Sequence, residues 1–403
     1  MMRTIYFDNN STTRVAPEVL EAMLPYFGDL YGNPSSIHRF GSQVARKIEA
    51  AREQVAALVG AADPAEIVFT SCGTEGDNAA IFSALESNPG KKHIVTTKVE
   101  HPAVLGFCQH LEKKGFQVTW LGVDRDGRLD LGEVEAALTD ATAVVSVMLA
   151  NNETGVVFPV EQIGALAKSK GILFHVDAVQ AAGKLPLNVK DSPIDFLTIS
   201  GHKFHAPKGV GALYVRRGIT FRPMLVGGHQ ERRRRAGTEN TASIIGMGKA
   251  AELALAHLAE ETARVRKLRD QLESSLLASC PGAVVNGAGA PRLCNTSNVS
   301  FEGVDGEAVL VLLDEHGICA STGSACTAGS TEPSHVLRAM AVPAHLLQGT
   351  VRFSLGRYNT EEEVAFVSEK MPLILERLRG LSGLGRLRGR EAETASRARP
   401  APH

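Results

Sequence analysis

Thr198-Ile-Ser-Gly-His-Lys203-Phe-His-Ala-Pro-Lys-Gly-Val-Gly-Ala-Leu-Tyr214 places one lysine between two apolar runs that read as strands, in a turn crowded with Gly, Ser, His and Pro. A lysine in such a turn loses its proton to desolvation and neighbouring positive charge, which makes its amine a nucleophile able to condense with a carbonyl cofactor. Taken alone, the stretch reads better as a surface lysine in a hairpin.

Two further stretches shift the balance. Ile172-Leu-Phe-His-Val-Asp177-Ala-Val-Gln180 is a short apolar run ending in an acid, the position at which an open α/β sheet presents a ligand-binding group. An aspartate opposite a reactive lysine suits pyridoxal phosphate, whose ring nitrogen needs an anionic partner to stay protonated and electron-poor. Phe69-Thr-Ser-Cys-Gly73-Thr74-Glu75-Gly-Asp-Asn reads as a strand breaking into a turn that opens a helix. Backbone N–H groups there, aided by the Thr74 hydroxyl, suit a phosphate.

With these in place the chain resembles the cysteine desulfurases, pyridoxal-phosphate enzymes of the class V aminotransferase fold that take sulfur from L-cysteine. The resemblance is carried by Tyr6-Phe-Asp-Asn-Asn-Ser-Thr-Thr13, Gly73-Thr-Glu75, Glu100-His101-Pro, Asn151-Asn152-Glu-Thr-Gly155, His175-Val-Asp177-Ala-Val-Gln180, Ser200-Gly-His-Lys203, Gly237-Thr238 and Ser324-Ala-Cys326-Thr. These run in family order across nearly the whole chain. The stretches around Cys72 and Gly227–Arg232 lean toward the nitrogenase-associated NifS form over the IscS form.

The resemblance implies an α/β chain of the aspartate-aminotransferase-like fold. Its large domain, over 14–255, would hold a mostly parallel seven-stranded sheet. Residues 1–13 and 256–380 would form a smaller α/β domain carrying a catalytic cysteine loop, with a disordered tail over 381–403. Pyridoxal 5′-phosphate, L-cysteine, an iron–sulfur scaffold protein as sulfur acceptor, and a homodimer follow as expectations. So does the absence of a resident metal, with Cys326 able to meet an iron–sulfur cluster only on a partner. A selenocysteine lyase or an aminotransferase uses the same framework. A non-catalytic assembly hub is the reading from another class, and it would purify colourless.

Composition agrees with a globular enzyme. The chain has 403 residues, 44% of them hydrophobic, and a formal charge of −1, so it has core enough for two domains and no basic field to attract nucleic acid. The sequence shows no apolar run long enough to span a membrane and no presequence at Met1. Its six cysteines form no C-x-x-C pair, and the chemistry above needs a free thiol, so a reducing cytoplasm is expected.

Along the chain, strands beginning near Glu66, His93, Phe116 and Ala143 alternate with helices over 75–86, 102–114, 132–138 and 160–170, which predicts a mostly parallel, doubly covered sheet. Val44, Ile48, Ala51, Val55 and Leu58 recur at helical spacing, and Ala242–Leu277 reads as one long helix.

By resemblance, His101 stacks on the pyridoxal ring and shuttles protons, a task that suits an imidazole. Asn152 and Gln180 hold the cofactor's phenolic oxygen, Asp177 its ring nitrogen, and Gly73, Thr74, Ser200 and His202 its phosphate. Thr238 reaches the partner subunit's phosphate. The adjoining Arg232–Arg235 run invites a nucleic-acid reading, but beside the family loop its extra charges read instead as solvated surface or a docking patch. Arg352 clamps the substrate carboxylate, for which a guanidinium fork is better shaped than a lysine. Cys326, on a Gly/Ser/Thr/Ala stretch expected to be mobile and accessible, receives the sulfur. Cys319, in an apolar strand, is expected to be buried and inert.

Overall fold

The computed structural model describes residues 4–322 and 333–381. The strands are β1 (Ile5–Tyr6), β2 (Ile67–Thr70), β3 (His93–Thr97), β4 (Gln117–Leu121), β5 (Thr142–Met148), β6 (Leu173–Asp177), β7 (Phe196–Ser200), β8 (Gly211–Val215), β9 (Ala283–Val285), β10 (Thr296–Phe301), β11 (Ile318–Cys319) and β12 (Thr350–Ser354).

β2 to β8 form one seven-stranded sheet in the order β2-β8-β7-β6-β5-β3-β4. Only β8 runs against its neighbours, pairing antiparallel with β2 and β7, while the other pairs are parallel. The expected mostly parallel sheet is therefore present. β5 is buried at every position, as a central strand covered on both faces must be. The C-terminal ends of β2, β3, β5, β6 and β7 lie on one edge, where an open α/β sheet binds ligands.

The helix Arg39–Val59 begins where His38 caps it by accepting the Gly41 N–H at 3.0 Å. Its buried stripe of Val44, Ile48, Ala51, Val55 and Leu58 packs along the helix Thr241–Ser279. That long helix joins two cores. Met247, Ala250, Ala251 and Ala254 enter the larger one, and Val265, Leu268, Leu272 and Leu276 enter the smaller with Ile5, Phe7, Phe301 and Phe353. β9, β10 and β12 form an antiparallel sheet, and β1 pairs in parallel with β11. The amino terminus thus closes the smaller unit.

One segment departs from the expected grouping. Val336, Leu337, Met340, Val342 and Leu346 join the larger core, although the sequence reading puts 256–380 with the smaller one. The short helices His335–Ala339 and Ala344–Leu347 have too few apolar residues for a core of their own and bury them on the neighbour within reach.

Candidate active site

A cleft of about 380 Å³ opens at the sheet's C-terminal edge. It is lined by Gly73, Thr74, His101, Asn152, Asp177, Gln180, Ser200, His202, Lys203 and Arg352. Residues spread over 280 positions of sequence therefore share one wall.

Its anion end is the start of the helix Gly73–Glu86. Cys72 at the N-cap makes no side-chain capping bond among the described residues, so the first N–H groups are available to an oxyanion. Gly73 allows close approach, since a Cβ there would lie 2.8 Å from Val179 Cγ2 and 3.5 Å from Ser200 Cβ. Glu75 reaches back to accept the Ser71 N–H at 2.8 Å and is itself held by Arg235 through Nε at 2.8 Å and Nη2 at 3.1 Å. This pairing holds the Glu75 carboxyl below its ordinary range despite its burial.

On the floor, Asp177 ends β6 and accepts the Val179 N–H at 2.9 Å. Burial, then the neighbouring Asp77, pushes its pKa up to about 7, with His175 and Lys203 pulling back. A cation bound beside it would draw it down again. Asp77 is likewise raised to about 7 by burial. His175, two residues before Asp177 on the same face of β6, bridges Ser146 Oγ at 2.9 Å and Thr198 Oγ1 at 3.0 Å, and lies 3.5 Å from Asp77 Oδ1. Burial pushes its pKa down to about 4, so it is neutral.

Lys203 sits in the turn after β7, where Nζ donates to Asn10 O at 2.5 Å and to Ser11 O at 3.0 Å. Gln180 Nε2 donates to the same Asn10 oxygen at 3.0 Å. Gln180 Oε1 is buried with no hydrogen-bond partner among the described residues, an acceptor left for a ligand donor. His101 caps the helix Pro102–Glu112, its Nδ1 accepting the Ala103 N–H at 3.1 Å. Burial, then the charges of Lys203 and His335, push its pKa down to about 4, so the proton of the neutral ring is on Nε2. His202 is pushed to about 3 chiefly by burial, then by Lys203, and its Nδ1 meets Thr12 Oγ1 at 3.1 Å.

Arg352 on β12 points into the cleft with its side chain 2% exposed. Nη1 donates to Asn152 O at 3.0 Å, and Nη2 to Asp8 Oδ1 and Ser11 Oγ, each at 2.7 Å.

A lysine, a buried acid, an open helix start and a buried guanidinium thus meet in one cleft, and the comparisons with known proteins point to the chemistry such a set can do. The aminotransferase class-V family model matches residues 5–367. The chain belongs to the class V aminotransferases. It is 61% identical over 381 residues to a cysteine desulfurase of Trichormus azollae, covering 94% of this chain and 95% of that one. It is 56% identical over 381 residues to the cysteine desulfurase NifS of Azotobacter vinelandii, again covering 94% and 95%. Among solved structures, a NifS-like protein superposes with a TM-score of 0.87 at 41% identity, covering 93% of this chain and all of that one.

One described, sequence-predicted residue of this class V chain stands apart from the cleft. Thr238 is exposed and does not line it. Cys326 lies outside the described residues. Cys319 is half-buried, less enclosed than expected, yet burial still raises its thiol above the ordinary range, helped by Asp314 and Asp8.

The arginine run is not a free basic patch. Arg232 pairs with Glu49 at 3.0 Å, Arg234 donates to Ala65 O at 2.6 Å, and Arg235 holds Glu75. Sequence reasoning passed over Asp8, Asn10 and Asp77. Asp77 stands four residues after Gly73, hence on the same helix face, and that spacing is the signal that would have found it. Asp8 and Asn10 fall within the quoted Tyr6–Thr13 stretch, but nothing local ties them to a site hundreds of residues away.

Proposed function

We propose that the protein is a cysteine desulfurase that converts L-cysteine to L-alanine and leaves the sulfur on Cys326 as a persulfide. The observation that carries this reading is Lys203, Asp177 and the open helix start at Gly73 in a single cleft. The residues fit pyridoxal 5′-phosphate. Gly73 and Thr74 with Ser200 and His202 would hold the phosphate, Asp177 the ring nitrogen, and Asn152 and Gln180 the phenolic oxygen, for which the vacant Gln180 acceptor is suitably placed. When bound, the cofactor supplies an electron-poor ring that stabilises negative charge at the substrate Cα.

The chain's own groups do the rest. Lys203 anchors the cofactor through its amine. His101, held by its Nδ1 with Nε2 turned to the cleft, is the side chain that holds or passes a proton beside the reacting carbon. Arg352 orients the α-carboxylate. In the net reaction the Cys326 thiolate attacks the substrate sulfur; an S–S bond forms, the Cβ–S bond breaks with its electron pair on carbon, and a proton completes alanine.

We assign an iron–sulfur scaffold protein as the acceptor and, from the likeness to NifS, nitrogenase cluster assembly as the destination. A homodimer, in which Thr238 reaches the partner's phosphate, is supported by the exposed Leu24, Phe27, Tyr31 and Ile37. The division into 14–255 against 1–13 with 256–380 is supported by the two apolar cores, save that the apolar residues of 336–346 pack on the larger one. In a reductant-supplemented assay on the purified yellow protein, alanine and sulfide should appear in equal amounts. Cys326→Ala should keep the yellow absorption and form no persulfide detectable by mass spectrometry. Normal turnover by that variant would sink the assignment.

A further inference from the structure

Arg352 does not wait in the cleft as an uncommitted cation. Asp8 Oδ1 lies 2.7 Å from Nη2, and Ser11 Oγ also takes a hydrogen bond from Nη2 at 2.7 Å while donating to the same Asp8 oxygen at 2.8 Å. Both Nη2 hydrogens are therefore spent inside the chain. The pair is well enclosed, the Arg352 and Asp8 side chains being 2% and 18% exposed. It is also built into the backbone: Asp8 bridges in parallel to Ser354, two residues beyond Arg352 on β12. The other carboxyl near Arg352, Glu153, is buried against Ser334 Oγ at 2.5 Å and pushed toward its neutral form by burial.

We propose that Asp8 is a specificity-determining residue, a fixed carboxylate that already occupies one edge of Arg352 and opposes the α-carboxylate of the incoming amino acid. This rests on the reading of Arg352 as the carboxylate clamp. An anionic ligand must share the guanidinium with Asp8, engaging donors away from Nη2. The two carboxylates then repel each other across a partly dry site, where charges interact far more strongly than in water. The consequence is a deliberately loose hold on carboxylates, and so easy release of the alanine product.

The test uses the holoenzyme and two probes that lack an amine, butyrate and its neutral isostere butyramide. Dissociation constants are read from calorimetry and from the shift in the bound cofactor's absorption. Asp8→Asn keeps the hydrogen-bonding shape and removes the charge. It should tighten butyrate about tenfold, which corresponds to about 1.4 kcal/mol, and leave butyramide within about twofold, the ordinary scatter for a neutral ligand. The KM for L-cysteine should fall in parallel. Asp8→Ser is run alongside in case Asp8→Asn does not fold, and it must move butyrate in the same direction. Unchanged or weaker butyrate binding, or equal tightening of both probes, overturns the proposal. Arg352→Gln separates the two levels: it should weaken butyrate, and if it does not, the clamp reading itself fails and this proposal with it.

Discussion

Replacing Glu231 by alanine should destabilise the fold far more than an ordinary glutamate on an arginine-rich loop would. Arg52 and Glu231 form a two-bond pair, Nη1 to Oε2 at 2.7 Å and Nη2 to Oε1 at 2.8 Å, with both side chains 3% exposed. Glu231 Oε2 also accepts the Phe69 N–H at 2.9 Å, and the guanidinium lies 4.7 Å from the Phe69 ring centre. Removing the carboxylate leaves a buried cation compensated only by the half-exposed Glu49, 3.1 Å from Arg52 Nε, a loss of about 3–5 kcal/mol, together with an orphaned N–H on β2 worth about 1–3 kcal/mol. Against this stands relief of strain, because Glu231, Arg232 and Arg233 all adopt left-handed backbone with φ of 47°, 57° and 67°. The net expectation is a loss of about 4 kcal/mol, read from urea midpoints at unchanged slope. Arg52→Met combined with Glu231→Leu should recover more than half of it. A single-variant loss under about 1 kcal/mol would refute the reasoning, since that is the value of an exposed pair.

Gly73→Ala should lower cofactor affinity at least about tenfold, equivalent to about 1.4 kcal/mol, with little change in unfolding midpoint. The new methyl would meet Val179 Cγ2 at 2.8 Å beside the anion cup, and equilibrium titration with pyridoxal phosphate checks it. His175→Gln should flatten the acid side of the stability profile of the cofactor-free protein. With a folded pKa of about 4 against about 6.5 when unfolded, His175 makes the unfolded chain bind more protons as pH falls through this window. Stability is therefore lost on acidification, by about 3 kcal/mol at the limit. Asp77 and Asp177, raised to about 7, act in the opposite direction in both proteins, and loss of His175 also removes its pull on Asp177. Identical slopes between pH 6.5 and 4 would count against a neutral buried His175.

Much of the sheet and the cleft was legible because the relevant signals are local. A strand that ends in Asp177, or breaks at Ser71 into a helix, declares itself within ten residues. The buried β5 run and the stripe on Arg39–Val59 are likewise periodic patterns. The arginine run shows the opposite case. Its charge suggested a surface, whereas Arg234 and Arg235 are committed to Ala65 O and Glu75, partners about 160 to 170 positions away that no local pattern announces. Helices His335–Ala339 and Ala344–Leu347 were grouped by sequence proximity, but what they bury against is set by tertiary reach.

The amino-terminal strap explains why the site needs both cores. Asn10 O receives Lys203 Nζ and Gln180 Nε2, while Asn10 Nδ2 donates to Asn152 O at 3.0 Å and Thr296 Oγ1 at 2.8 Å. Asn295 Nδ2 donates to Asn10 Oδ1 at 2.9 Å, and the Asn10 N–H donates to Ser354 Oγ at 2.9 Å. One asparagine is thus bonded to the lysine turn, the β5 and β6 ends, β10 and β12. Because Ile5 and Phe7 are buried in the smaller core, displacement of that core would be transmitted through Asn10 directly to the amine of Lys203. Arg352 and Asp8 move with the same unit, so the Arg352 guanidinium and the Lys203 amine are fixed relative to each other by hydrogen bonds to a strap only a few residues long. Catalysis by orientation demands that kind of rigidity at the junction of two cores.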